Sequence, residues 1–424
     1  MLLVAESRKL DDCAYSEAKG MDINMSKKYY AVVGQWGYVQ TDPMGISTYR
    51  YDLENGDFEL IETIREDIVS GQLCVDTERG VIYVVNEVGH IRGDLGGGGY
   101  VLAFRMDPDT GKLTPLSEKR SLSTEPCYLC LDSTKQFLLV SHNSDPFHVT
   151  KIRQLEDGSY TSDTVYDDTA LVMFPVGEDG SLGDVCDVSI TYGCGAGGPH
   201  SKSFVHPVSG HIMHIQVISR QHSVTGSPDG ELYAVCDRGM NKIYTYRIDR
   251  ENGKLVQMHE YDEYSEDIAC SPRYGAFHPT RPYFYANSER VPYILGYRYN
   301  SQECTLEKIC RTKAVFEDTK IISGCCDLLM HPNGKYLYST SMPATISMLA
   351  IEDDGTLTLK QNIECGGDYP RAICISPDER FLFSGNNHST TITSFTIAED
   401  GTLSPTGKVF AGAATSAMKI FSLD

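Results

Sequence analysis

The sequence predicts an all-β fold: a seven-bladed β-propeller of four-stranded antiparallel blades, with a closure blade shared by N- and C-terminal strands. Two repeating signals and a matched pair of chain ends carry that prediction. The first signal is an apolar strand, a tight turn and a second apolar strand, recurring at 72–87, 127–143, 222–238, 273–289, 326–342 and 371–387. Anchored on the turn positions Thr77, Ser133, Pro228, Pro279, Pro332 and Pro377, the steps are 56, 95, 51, 53 and 45 residues. One interval therefore carries an insertion of about 40 residues. The second signal is a hairpin turn followed within two residues by Leu or Phe: Asn55-Gly56, Thr110-Gly111, Asp179-Gly180, Asn252-Gly253, Asp354-Gly355 and Asp400-Gly401, with NSQECTL (300–306) in the remaining slot.

Taken along the chain, residues 1–24 show no strand pattern and read as an N-terminal extension, and 25–424 form a single propeller. KKYYAVVG (27–34) is a second strand lacking its first, while ATSAMKIF (414–421) is a first strand lacking its second. Pairing them closes the ring and removes two free sheet edges. Alternating segments such as ISTYRYDL, YVLAFRMD, KIYTYRID, YILGYRYN, TISMLAIE and TITSFTIA precede the hairpin turns as third strands. The surplus length is expected in one place, at about 144–220.

Charge narrows the partners. Asp plus Glu number 58 against 37 Lys plus Arg, a net −21, which repels phosphate backbones and anionic lipid surfaces and argues against nucleic acid and membrane. The longest apolar runs fall short of the roughly 18 residues of a spanning helix, and the N-terminus lacks a secretory apolar core. Fourteen cysteines, two of them adjacent at Cys325 and Cys326, fit reduced thiols, so a cytoplasmic location is expected.

Equivalent positions of every blade ring the central channel, so comparing blades locates residues out of place in a strand end. Six residues before the anchor the series runs Gly71, Cys127, His222, Arg273, Cys326 and Arg371; ten after it, Glu87, Asn143, Arg238, Glu289, Met342 and Asn387. If both rows face one mouth, His222, Asp237, Arg273 and Glu289 converge near Tyr274, bringing a base, an acid and a cation into one pocket, with Arg371 as a second cation. Such positions also carry polar residues because channels are wet, and Asp or Asn at strand ends often serve loop amides. Among weaker signals, His200, His206, His211 and His214 match no closed metal site, GDLGGGGY (93–100) lacks a phosphate-binding ending, and Cys127 and Cys130 point to opposite strand faces.

From VVGQW (32–36) through HSVTGSPDGELYAVCDRGMNKIYTYRID (222–249), SPRYGAFHPTRPYFYANSE (271–289) and YPRAICISPDERFLFSGNN (369–387), the chain resembles the lactonase-type seven-bladed propellers, which include 6-phosphogluconolactonases and carboxy-muconate cyclases. The resemblance implies hydrolysis of an acidic sugar lactone, 6-phosphogluconolactone by default, and assigns catalysis to His222, Arg273 and Glu289; ring opening by water itself demands no metal, and no cofactor is expected. Three departures stand out: the family's fourth residue, an arginine, is Met342; its P-H-x-H is S-R-Q-H, with Arg220 at the first histidine; and its Pro-Cys-His is Pro126-Cys127-Tyr128. Chemistry alone asks for an activated water, a cation at the carbonyl oxygen and a site for the anionic tail. His222 or Glu289 suits the base, Arg273 the oxyanion, and Arg220 or Arg371 the tail; Glu87, Asn143, Asp237 and Tyr274 complete the expected lining. A muconate-type cyclase and a non-catalytic protein-binding platform remain the alternatives.

Overall fold

The computed structural model describes residues 27–37, 42–89, 96–144, 148–192, 201–205, 210, 212–216, 218–265, 268–317, 319, 324–342 and 344–423. Seven four-stranded antiparallel sheets make up the ring. Blade 1 runs Ser70–Asp76, Val81–Asn86, Tyr100–Met106 and Leu113–Arg120, counted from the channel outward. Blades 3 to 6 repeat that order, starting from the inner strands Gln221–Gly226, Pro272–Phe277, Cys325–Met330 and Pro370–Ile375. The expected closure is present: Thr415–Ser422 is the innermost strand of a sheet completed by Tyr29–Gln35, Gly45–Asp52 and Asp57–Ile64. Tyr29 pairs with Ser422 and Val33 with Met418 in that join.

Blade 2 shows where the surplus length goes. Its inner strands Pro126–Leu131 and Phe137–His142 are followed by a hairpin, His148–Gln154 with Tyr160–Tyr166, before the outer strands Thr169–Pro175 and Asp187–Thr191. A second hairpin, Ser201–Val205 with Ile212–Gln216, leads into blade 3. The interval 144–220 is thus two separate hairpins around two ordinary blade strands. The extension 1–24, the run 93–95, the glycine-rich run 193–198, and the side chains of the four clustered histidines lie outside the described residues.

Each sheet is covered on both faces, so second strands read as unbroken apolar runs rather than alternating ones. In Val81–Asn86 every residue is buried: Ile82 and Val84 pack toward the closing blade, and Val81, Tyr83 and Val85 toward blade 2. One apolar cluster fills each of the seven interfaces between neighbouring blades. Tyrosines fasten neighbours to each other. The hydroxyls of Tyr83, Tyr285 and Tyr338 donate to the carbonyls of Gly180, Gly355 and Gly401, the hairpin glycines of the next blade. Those glycines have φ near +80° to +90°, and a Cβ at Gly355 would stand 2.4 Å from the Tyr283 ring. Conformation and close approach therefore both select glycine there. Cys304, at φ 55°, fills the slot that has none.

Candidate active site

One backbone hydrogen bond, repeated seven times, fixes the geometry of the channel mouth. The amides of Glu87, Asn143, Arg238, Glu289, Met342 and Asn387 donate to the carbonyls of Val69, Glu125, Arg220, Ser271, Gly324 and Tyr369, two residues ahead of Gly71, Cys127, His222, Arg273, Cys326 and Arg371. The two rows read from the sequence are therefore one structural ring. Its seventh member is Trp36, whose amide donates to Ala414 two residues ahead of Ser416. Neither Trp36 nor Ser416 was expected, because the closing blade has no strand-turn-strand repeat to anchor them.

His222, Arg273, Glu289 and Tyr274 come together. Arg273 Nε lies 3.4 Å from His222 Nε2 and 3.1 Å from Glu289 Oε2, and its guanidinium stands 4.8 Å from the centre of the Tyr274 ring. The imidazole meets the same ring edge to face at 5.2 Å. Cys326 orients Arg273 from below, its Sγ and carbonyl oxygen both accepting from Nη1, while Cys127 Sγ donates to the carbonyls of Gln221 and His222 and secures the imidazole's strand. His222 and Arg273 are 3% and 4% exposed, which makes their mutual contact a desolvated one.

Arg238 was in the ring but not among the expected site residues, and it matters more than its neighbour Asp237. Its guanidinium forms an ion pair with Glu289 and donates 2.9 Å to Asn143 Oδ1, whose amide in turn donates 2.8 Å to Glu125. Glu289 is thus clamped between two arginines. Asp237 does not enter the pocket: it accepts from Ser219 Oγ and from the amides of Arg220, Gly239 and Met240. Asp-x-Gly in a sequence is the signal for such a turn. By holding the Arg220 amide, Asp237 sets the position of Arg220 at the rim.

Across the mouth, Arg371 Nη2 contacts Glu87 Oε2 at 3.3 Å, and both side chains are 3% exposed. The guanidinium lies 3.4 Å over the Trp36 ring, and Glu87 fits only because residue 71 is glycine: a Cβ there would be 2.0 Å from Oε2. Arg371 is consequently a partner of Glu87 and Trp36 instead of a rim cation awaiting a substrate tail.

Electrostatics separates the titratable groups. Burial, reinforced by Arg273, Arg238 and Arg371, holds the imidazole of His222 well below its ordinary value, so it is neutral. Burial pushes Glu289 up, but Arg238, Arg273, Arg290 and Arg220 outweigh it and keep that carboxyl below its ordinary value. Glu87 goes the other way: burial, opposed by Arg371 and aided by Glu125, raises it to about 7. Burial and the charges of Arg238 and Arg290 lower Arg220 to about 10, the signature of crowded cations. Among the described residues no group of His, Cys, Asp or Glu is arranged to hold a metal ion.

Residues 31–420 match the family described as Lactonase, 7-bladed beta-propeller. A 6-phosphogluconolactonase of Bacillus subtilis is 24% identical over 295 residues, 69% of this chain and 72% of the relative. One from Formosa agariphila is 20% identical over 355 residues, 83% of this chain and 88% of the relative. Among solved structures, the periplasmic gluconolactonase PpgL of Pseudomonas aeruginosa superposes with a TM-score of 0.75 at 20% identity, covering 94% of this chain and all of the other.

Proposed function

We propose that this protein, which belongs to the seven-bladed β-propeller lactonase family, hydrolyses the internal ester of an acidic sugar lactone, 6-phosphogluconolactone being the substrate that its relatives' names support. The observation that carries the reading is the desolvated chain of contacts from His222 through Arg273 to Glu289. Opening a lactone demands that charge on the carbonyl oxygen be met as water attacks, and a preorganised donor is worth about 10²–10³ in rate. Arg273 suits that role because Cys326, Glu289 and Tyr274 fix its plane before substrate arrives. His222, neutral and against the same guanidinium, presents an uncharged imidazole to the ring. Glu289 carries the countercharge that lets Arg238 and Arg273 lie together.

The substrate's anionic tail falls to the rim. Arg220, half-buried and crowded by Arg238 and Arg290, is a local excess of positive charge in a chain of net −21. A phosphate there relieves cation–cation repulsion, which gives a reason for binding that a neutral lactone lacks. The twelve described cysteines, all unpaired, support the cytoplasm as its compartment.

The test is a panel of sugar and muconate lactones, with and without a phosphate, offered to wild type, His222→Ala and Arg273→Ala. A loss of at least 100-fold in both variants on one sugar lactone supports the reading. Activity within twofold of wild type, or a wild type that opens no lactone faster than buffer, overturns it.

A further inference from the structure

Glu87 is the ionisable group at the mouth that the roles above leave without a task. It sits in the ring row opposite Glu289, with its carboxylate in the space kept open by Gly71. Its Oε2 takes a single contact from Arg371, where Glu289 has two arginines. The groups whose charge reaches it come from four blades: Arg371 from blade 6, Glu125 from blade 2, Arg273 from blade 4 and Arg238 from blade 3. Gly71 is the blade equivalent of His222 and Arg273, so the Glu87 carboxylate, 2.0 Å from where a Cβ of residue 71 would stand, takes in blade 1 the place at the mouth that the imidazole and the guanidinium take in blades 3 and 4.

We propose that Glu87 is the general base of the reaction and that Glu289 is a fixed countercharge, an assignment that rests on the lactonase reading. As the water oxygen bonds to the lactone carbonyl carbon, the π electrons move onto the oxygen held by Arg273 and the water proton passes to the Glu87 carboxylate. When the tetrahedral intermediate collapses, the bond from that carbon to the ring oxygen breaks. Glu87 returns the proton to the ring oxygen, which leaves as a hydroxyl, and the product is the hydroxy acid. No metal, oxidant or further reactant enters the balance. Arg371, held flat against Trp36, keeps the carboxylate oriented without pairing it as tightly as Glu289 is paired.

The experiment is the pH dependence of kcat/KM between pH 5 and 9 for wild type, Glu87→Gln, Glu87→Asp and Glu289→Gln, on whichever lactone wild type opens, with melting temperatures to check folding. Titration of wild type carrying ¹³C-labelled glutamate carboxyls, followed by NMR, reads Glu87 directly. The expected result is a wild-type limb rising through about pH 7, an NMR resonance titrating with that midpoint and missing in Glu87→Gln, at least 100-fold lower kcat in folded Glu87→Gln, and a limb restored at lower rate by Glu87→Asp. A Glu87→Gln variant that keeps the limb and a third of the rate overturns the assignment while leaving the lactonase reading intact. If Glu87→Gln does not fold, a folded Glu87→Asp whose limb moves and whose kcat falls at least tenfold upholds the proposal, and a folded Glu87→Asp with the wild-type limb and rate overturns it. A wild type inactive on every lactone removes both.

Discussion

Arg371 and Trp36, 335 positions apart in sequence, lie face to face with the guanidinium carbon 3.4 Å from the ring centre. One comes from blade 6 and the other from the closing blade, and together they wall the side of the mouth opposite His222. Desolvated cation–π contacts contribute about 2 kcal/mol.

Trp36 is the single tryptophan of the chain, so its emission reports this wall alone. Titration with gluconate 6-phosphate, the product of the proposed reaction, is expected to change the intensity or position of the emission and to saturate. Trp36→Phe should keep the fold, lose the signal and lower kcat severalfold, because Arg371 loses its best platform and orients Glu87 less well. A fluorescence spectrum unmoved by a product that measurably inhibits turnover would contradict this placement.

Replacing Gly71 by Ala places a methyl 2.0 Å from Glu87 Oε2. Overpacking of this kind costs roughly 1–3 kcal/mol, and here the yielding group is the carboxylate. The variant should melt several degrees lower and lose most of its activity, while Gly407→Ala, whose Cβ meets nothing within 4 Å but has φ 81°, should lose stability only.

Arg220→Ala separates tail recognition from ring opening. The substitution should raise KM for a phosphorylated lactone at least tenfold and leave kcat within threefold, with little change for the unphosphorylated compound. Equal effects on both substrates would place the tail elsewhere.

Asp237→Ala is expected to act on folding. It removes the acceptor for Ser219 Oγ and three loop amides in a site that is 0% exposed, so a loss of about 2–4 kcal/mol is expected in urea denaturation. Below the melting transition the pH profile should keep its midpoint, which distinguishes it from Glu87→Gln.

Stability should also depend on Glu87. Its folded value, about 7, lies above the ordinary 4.5, so the native state binds the extra proton between those values. The resulting stability is fully present below pH 4.5 and is lost as pH rises through 7, by about 3 kcal/mol at most. Glu289 has the opposite sign, since its lowered carboxyl adds stability that disappears as pH falls. Glu87→Gln should therefore flatten the fall of stability between pH 4.5 and 7 in chemical denaturation, and an unchanged slope there would argue against the raised value.

The propeller was legible because its repeat is written twice, in the strand-turn-strand anchors and in the hairpin glycines, and ring symmetry converted sequence offsets into the row that the sevenfold amide bond reproduces. Site positions that break the repeat were hidden. Trp36 lies in the blade divided between the chain ends, where no anchor exists. Arg238 stood in the row, but its clamp on Glu289 and Asn143 spans blades and depends on tertiary approach. Asp237 looked like a pocket acid because sequence spacing does not say which way a strand-end side chain turns. The two hairpins within 144–220 merged into one insertion because the ordinary strands between them, Thr169–Pro175 and Asp187–Thr191, lack a full anchor of their own.

The join of Tyr29–Gln35 with Thr415–Ser422 has a consequence for how the protein becomes competent during synthesis. Six spokes can be laid down on the ribosome one after another, yet the indole that backs Arg371 waits beside an empty place until the last strand emerges. The mouth is therefore complete only once the final strand has paired, and the wall that Trp36 builds shares its backbone bond with that same last segment.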